Sequence, residues 1–274
     1  MELSINFNNL RIKYRKHYFY IMSRLPNAPL QEVIFEIRWA LVPGKETGQI
    51  IDEGFELASG RLSTIIEKEF PYYKRIIPQD VPDQLMHYQV VHQYWSGENK
   101  WPVIQLGPGI FTINCTDEGY DWEGSFQKLI KQAIDWLDQS YKRSLNIRFA
   151  SLRYIDGIRV DDYGGIDGNW QNFIKTNFNF EYNNHFNTRG SQKQIQVNQT
   201  FELEDGSDLQ LQIANGARNN EKALVWQTAI LKKDSFDFDK LVLWANYAHD
   251  IAHDLFQEMI KPHLYASFSR KNKN

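Results

Sequence analysis

The stretch that decides the fold is residues 25–41, LPNAPLQEVIFEIRWAL. Its Asn27-Ala28-Pro29 segment opposes a helix, because a residue before proline is pushed toward extended geometry. From Val33 onward, apolar and polar residues alternate, and a period of two residues is typical of a β-strand with one buried face. The sequence therefore predicts a strand whose buried face carries Val33, Phe35, Ile37, Trp39 and Leu41.

The same alternation places Glu36 and Arg38 together on the opposite face of this strand. Two interpretations are open. In the first, the face is solvated and the charges form a surface ion pair, which contributes about 0–1 kcal/mol. In the second, Glu36 and Arg38 form one wall of a polar groove.

The 274-residue chain divides into two halves, and an alternating strand opens each of them. In the first half, periodicity predicts a helix over 50–70, a hairpin around 97–100, a strand over 109–117 and a helix over 122–141. In the second half, it predicts a strand over 146–160, a helix over 169–178, a hairpin around 204–207, a strand over 224–233 and a helix over 240–261.

Each half thus has the order strand, helix, three strands, helix, and Arg38 in the first half corresponds to Arg153 in the second. We predict an α+β protein of two related β-α-β-β-β-α units, with antiparallel sheets and helices packed on one face. The first unit covers 22–144, and the second covers 145–274 and ends in a basic tail. Residues 1–21 are expected to be an N-terminal appendage that precedes a second start site at Met22; the alternative is a β-arm that packs on the body.

The opening motif is similar to that of a known bacterial family. Leu25–Trp39, LPNAPLQEVIFEIRW, resembles the start of a sporadically distributed, uncharacterised family of about this length, whose members begin with a near-identical "NAPLxEVxFxIR" segment. They also carry a mid-chain "LRYI" strand, here Leu152–Ile155, and the resemblance extends to about Tyr265. It implies no assigned chemistry. The family's patchy occurrence is like that of bacterial defence genes, which is an association and not a mechanism.

Composition excludes several classes of protein. The net charge of −3 disfavours a nucleic-acid binder, although the basic ends at 11–17 and 269–274 could contact nucleic acid if they are more than solvated termini. The single cysteine, Cys115, cannot form an internal disulfide, and its place in an alternating segment predicts a buried strand thiol. No apolar run approaches the ~20 residues that span a bilayer, so we expect a cytoplasmic protein that does not bind a membrane.

Two histidines four residues apart, His249 and His253, are the strongest candidate for a metal site. Asp250 occupies the position where zinc proteases carry glutamate, and no third ligand follows at the expected spacing. Boundary histidines held by neighbouring polar groups explain the pattern better. The sequence therefore predicts no metal, no cofactor and no catalytic residues.

Arg38 and Arg153 are the candidate binding residues, together with Glu36. If the two halves pair, both guanidinium groups could bind one carboxylate or phosphate. In the alternative, each arginine pairs locally, Arg38 with Glu36 and Arg153 with Asp156 or a neighbouring strand. We expect a non-enzymatic binding or regulatory protein with a protein partner. There are two alternatives: an enzyme or ligand sensor with an anion site between the halves, or a nucleic-acid-binding accessory protein.

Overall fold

A computed structural model describes residues 25–44, 48, 50–81, 85–166, 169–183, 185–186 and 189–270. The predicted appendage 1–21, Met22 and the end of the basic tail lie outside these residues. The described strands are β1 (Leu30–Trp39), β2 (Val42–Pro43), β3 (Ile50–Ile51), β4 (Tyr72–Arg75), β5 (His92–Gly97), β6 (Lys100–Gly107), β7 (Ile110–Cys115), β8 (Ile147–Arg159), β9 (Gln196–Glu202), β10 (Asp208–Arg218) and β11 (Glu221–Phe236). The described helices are α1 (Phe55–Ile66), α2 (Gln127–Ser140), α3 (Trp170–Asn177), α4 (Phe238–Met259) and α5 (Pro262–Phe268).

Nine of these strands form one antiparallel sheet in the order β4-β5-β6-β7-β1-β8-β11-β10-β9. The strands β1 and β8, which were predicted to open the two halves, are neighbours at its centre. The predicted boundary between residues 144 and 145 lies in the connection from α2 to β8. The protein is therefore α+β, with a large antiparallel sheet and helices, as the sequence predicts.

The described helices all pack against the same face of this sheet. In β1 that face carries Val33, Phe35, Ile37 and Trp39, which are buried as the alternation predicts. Helices α1, α2 and α4 cover these residues in one apolar cluster, and α3, α5 and the end of α4 cover the β8–β11–β10 part in a second cluster. Cys115, at the end of β7, is buried in the first cluster, which confirms the prediction for this thiol.

The opposite face of the sheet, which we call the polar face, carries rows of side chains that run across all nine strands. The first row is Thr200, Gln210, Ala229, Arg153, Ile34, Asn114, Val103, Trp95 and Tyr72. The second row is Glu202, Asp208, Leu231, Ser151, Glu36, Thr112, Gln105, Gln93 and Lys74.

The longest helix, α4, contains 22 residues and begins where Asp237 accepts a hydrogen bond from the backbone N–H of Lys240 at 2.7 Å. An aspartate at this position satisfies an N–H group that has no partner within the helix. The helix buries one apolar stripe and exposes charged residues such as Asp254 and Glu258. None of the described helices combines the length and apolar character that crossing a membrane requires.

Three elements differ from the sequence prediction. The first helix begins at Phe55 instead of residue 50, because Ile50–Ile51 pairs with Val42–Pro43 as a short strand. The strand β4 was not predicted, since its sequence YYKR is short and has no apolar alternation. Helix α5 was also missed; Pro262 stands at its first position, where a missing N–H does no harm.

Candidate functional site

Arg38 lies on the polar face and is held by three neighbours. Its Nε donates to Glu36 Oε1 at 2.6 Å, and its guanidinium lies over the rings of Phe149 and Tyr88 at 5.0 and 5.6 Å from their centroids. The side chain of Glu36 is 11% exposed and that of Arg38 is 41% exposed. Local pairing is therefore confirmed for Arg38. Among the described residues, the only hydrogen bond of its side chain is made through Nε.

Arg153 lies on the same face, opposite Ile34 of β1 and Ala229 of β11. Its Nε is buried and has no hydrogen-bond partner among the described residues, nor does any ion pair reach its guanidinium there. The suggested pairing with Asp156 is wrong, because strand alternation places Asp156 on the helix side, where it is buried. Arg153 is thus a half-buried cation without a protein partner in the described part of the chain.

The two arginines flank one central residue pair. Glu36 stands opposite Ser151, Arg38 stands opposite Phe149, and Arg153 stands opposite Ile34. The arginines are therefore four strand positions apart, or about 13 Å at ~3.3 Å per residue. Arg38 is also engaged by Glu36 and the two aromatic rings. The polar face thus offers two separate guanidinium groups.

On the β5–β7 side of Arg38, amide side chains form a continuous hydrogen-bond ladder across the polar face. Gln93 Nε2 donates to Gln105 Oε1 at 3.0 Å, and Gln105 Nε2 donates to Asn114 Oδ1 at 2.9 Å. Asn114 Nδ2 then donates to Glu32 Oε1 at 2.7 Å, and Thr112 Oγ1 donates to Asn114 Oδ1 at 2.7 Å. These contacts fix the amide orientations and direct the Glu32 carboxylate toward β7, away from β8.

His249 belongs to a separate polar cluster on the helix side. The hydroxyl of Tyr154 lies 2.8 Å from His249 Nδ1 and 2.9 Å from the hydroxyl of Tyr120. The His249 ring stacks on Trp122 with centroids 4.0 Å apart, and burial lowers the pKa of His249 to about 3. The predicted polar neighbour is confirmed for His249, whereas the predicted boundary position is wrong, because His249 is buried at 6% exposure.

His253, the other half of the candidate pair, lies next to His249 and is hydrogen-bonded to Gln257 through Nε2. Within the described ranges, no group of three histidine, cysteine, aspartate or glutamate side chains is arranged to hold a metal ion. The sequence could not identify Tyr120 and Tyr154 as neighbours of His249, because 95 residues separate Tyr154 from His249 in the chain.

Asp156, on the helix side of β8, is a second group that the sequence did not single out for its burial. Burial raises the pKa of its carboxyl to about 7; the nearby Arg218 opposes this effect, and Asp117 adds to it. Alternation along β8 does predict that Asp156 and Tyr154 share a face. The alternation does not predict how deeply Asp156 is buried, because that depth depends on the helices that cover the face.

Comparison of the chain with protein-family models, with curated proteins and with solved structures gave no significant match. The resemblance of Leu25–Trp39 to a bacterial family therefore stays a prediction, and function is inferred from the geometry of the chain.

Proposed function

We propose that the chain is a non-enzymatic binding protein, built from two related β-α-β-β-β-α units, that recognises a partner protein with its polar face. The observation that carries the proposal is the presence of Arg38 and Arg153 on the two central strands of that face, both with N–H groups that no described residue satisfies. The Nε–H of Arg153 is itself buried, so the donors available to a partner are the terminal Nη groups of the two arginines. Donors held on a rigid sheet are suited to recognition, because little side-chain entropy is lost when a partner binds.

The composition of the polar face favours binding over catalysis. Neither complete row across the sheet contains a histidine or a cysteine, and the Glu36 carboxylate is already paired with Arg38. The rows mix Lys74 and Arg153 with Glu36, Glu202 and Asp208, so the face is not a basic stripe of the kind that binds nucleic acid. Amide, aromatic and mixed-charge side chains are typical of a protein–protein contact.

The two-unit architecture is supported by the strand order. From the centre outward, the order is β1, β7, β6, β5 on one side and β8, β11, β10, β9 on the other. Glu36 of β1 faces Ser151 of β8. A two-fold axis between these two residues would place Arg38 and Arg153 at equivalent positions, and the register of β1 with β8 does so. Asp237 accepts a backbone N–H at the start of α4, and Asp121 accepts one at the start of a π-helical turn, Trp122–Phe126, that leads into α2. The extra edge strand β4 has no counterpart among the described strands of the second half.

The family resemblance of Leu25–Trp39 extends the proposal to a partner in a bacterial defence or toxin-neutralising system. A second candidate is a sensor of a small anion, which the unsatisfied Nε of Arg153 favours. The two candidates differ in the size of the ligand, so a partner protein should contact residues well away from Arg153.

Site-specific photo-crosslinking tests the binding proposal. The photoreactive residue p-benzoylphenylalanine replaces Gln210, which is exposed on the polar face, or Lys131, which is exposed on the outer side of α2. In cells of the source organism, we expect a discrete protein adduct from position 210 and none from position 131. A nucleic-acid adduct at 210, an equal adduct at both positions or no adduct at 210 would reject the proposal.

A further inference from the structure

The Nε–H group of Arg153 is one of several buried polar atoms without a hydrogen-bond partner among the described residues, and the only one of them on a side chain with a fixed positive charge. A buried donor without a hydrogen bond destabilises the folded state, and the cost is larger when the group is charged. Native proteins therefore satisfy nearly all such groups with protein, water or a bound ligand. The terminal Nη groups of Arg153 are not buried in this way, and no described residue accepts from them, so they indicate a site for an acceptor from outside.

The surroundings of Arg153 show why its neighbours in the described part of the chain do not satisfy it. The neighbouring carboxylates on β1 are occupied, since Glu36 accepts from Arg38 and Glu32 accepts from Asn114. Across the strands, Arg153 faces Ile34 and Ala229, neither of which has a polar side chain. These apolar neighbours lower the local polarity, which strengthens an ion pair formed with an incoming anion.

We propose that Arg153 is a carboxylate-binding position, which takes an aspartate or glutamate side chain of the partner protein. This inference rests on the proposed function. Arginine suits the role because its planar guanidinium binds a carboxylate through two parallel N–H···O bonds. Arg38, about 13 Å further along the sheet, offers its exposed terminal N–H groups to a second acidic residue of the same partner.

The charges around Arg153 favour a carboxylate over a phosphate. Glu32 and Glu36 lie on β1 at the positions diagonal to Arg153, and they repel an anion in proportion to its charge. Inorganic phosphate or a phosphate monoester carries about −1.5 to −2 at neutral pH, more than a carboxylate, so this repulsion is stronger for such a phosphate. An acidic segment of a protein can also hydrogen-bond the amide ladder through its own peptide groups.

The test uses hexaglutamate as the probe, with hexaglutamine, inorganic phosphate and oligothymidylate as comparisons. Nuclear magnetic resonance follows the Nε–Hε signals of Arg153 and Arg38 in the full-length protein, assigned with the variants Arg153→Gln and Arg38→Gln. We expect hexaglutamate to shift both signals and hexaglutamine to shift neither. Loss of one charge-assisted hydrogen-bond pair should weaken hexaglutamate binding about tenfold in Arg153→Gln.

Arg148→Gln is the matched control, since Arg148 is an exposed arginine on the same strand. It should bind hexaglutamate as the unmodified protein does. The inference is overturned if the Arg153 signal does not move, if phosphate or oligothymidylate binds more tightly than hexaglutamate, or if Arg153→Gln binds like the control. A protein adduct at position 210 that persists in Arg153→Gln would reject this inference and leave the proposed function in place.

Discussion

Arg38 donates from Nε to Glu36 Oε1 over 2.6 Å, between residues two positions apart on the same face of the central strand β1. The pair is unequal in exposure, because the Glu36 side chain is 11% exposed and that of Arg38 is 41% exposed. An ion pair of this kind lies between a fully solvated pair and a buried one. Neither simple interpretation of the sequence describes it: the charges are on the face away from the core, yet Glu36 is shielded from water.

The first prediction concerns this pair and the tryptophan next to it. Arg38→Ala leaves the shielded Glu36 carboxylate without its partner and should reduce the free energy of unfolding by about 1–3 kcal/mol. Trp39→Ala removes a side chain that is only 3% exposed and should cost about 3–5 kcal/mol. Urea denaturation measures both, and Arg148→Ala, at an exposed site, should stay within about 0.5 kcal/mol of the unmodified protein. An Arg38→Ala value as small as that control would show that the pair contributes nothing.

The second prediction is that Arg38 and Arg153 act independently in the free protein. Their strand positions are about 13 Å apart, and residues at that separation without shared partners usually show additive effects within ~0.5 kcal/mol. Arg153→Gln alone should not destabilise the fold, since it removes a buried donor for which no described residue provides an acceptor. Urea denaturation of both single variants and of the Arg38→Ala/Arg153→Gln double variant measures the coupling. A coupling well above that value would mean that the two side chains share a partner in the folded protein.

The third prediction compares two glycines. A Cβ on Gly107 would lie 1.8 Å from the backbone oxygen of Gln89, so Gly107→Ala must displace main chain and should destabilise the protein by more than ~2 kcal/mol. A Cβ on Gly60, within α1, meets no atom within 4 Å. Gly60→Ala should therefore stabilise by about 0.5–1 kcal/mol, because glycine is a poor helix former. Thermal melts of the two variants check the contrast, which would be refuted by equal shifts in the same direction.

The fourth prediction concerns the pH dependence of stability through Asp156. Its pKa is about 7 in the folded protein, against about 3.9 for an unfolded aspartate. Between these values the folded carboxyl stays protonated while the unfolded one ionises, so the free energy of unfolding falls as pH rises from about 4 to about 7. The side chain of Asp156→Asn does not ionise, so this variant does not lose stability in this way. Between pH 4 and pH 8, its free energy of unfolding should rise by up to about 4 kcal/mol relative to that of the unmodified protein.

Denaturant melts at pH 4, 6 and 8 measure that difference. The lowered pKa values of His92 and His249 act in the opposite direction, because their neutral folded forms make stability rise with pH below 6.5. They are present in both proteins and cancel in the comparison. A difference between Asp156→Asn and the unmodified protein that does not change with pH would show that Asp156 ionises normally in the fold.

Local patterns in the sequence carried much of the fold prediction. The alternation in VIFEIRWAL predicted β1 and both of its faces, and the hairpin around 97–100 was found with β5 and β6 on either side. Helices α2, α3 and α4 also lie within their predicted ranges or within two residues of them. These elements are predictable because the period of apolar residues depends on the element itself, whichever neighbours it packs against.

Other features depended on contacts that are distant in the sequence. The segment before α1 is held in place by Asp52, whose carboxylate accepts from Trp39 Nε1, Tyr141 Oη and the backbone N–H of Gly109 at 2.9–3.1 Å. No local pattern in residues 50–55 encodes these three donors. The missed strand β4 likewise exists because β5 offers it an edge to pair with, and its own sequence has no strand signal.

The sequence by itself determined that Glu36 and Arg38 share the face of β1 opposite Val33, Phe35 and Ile37, because side chains alternate along any strand. Only the tertiary structure decided that Arg38 has a partner and that Arg153 has none among the residues that the structure describes. Pairing of β1 with β8 sets Ile34 and Ala229 beside Arg153, while Glu32 and Glu36 are taken by Asn114 and Arg38. The physical reason is that a charged group is satisfied by whatever acceptor the neighbouring strands bring within about 3 Å, and the register between strands is not encoded in the period of either one.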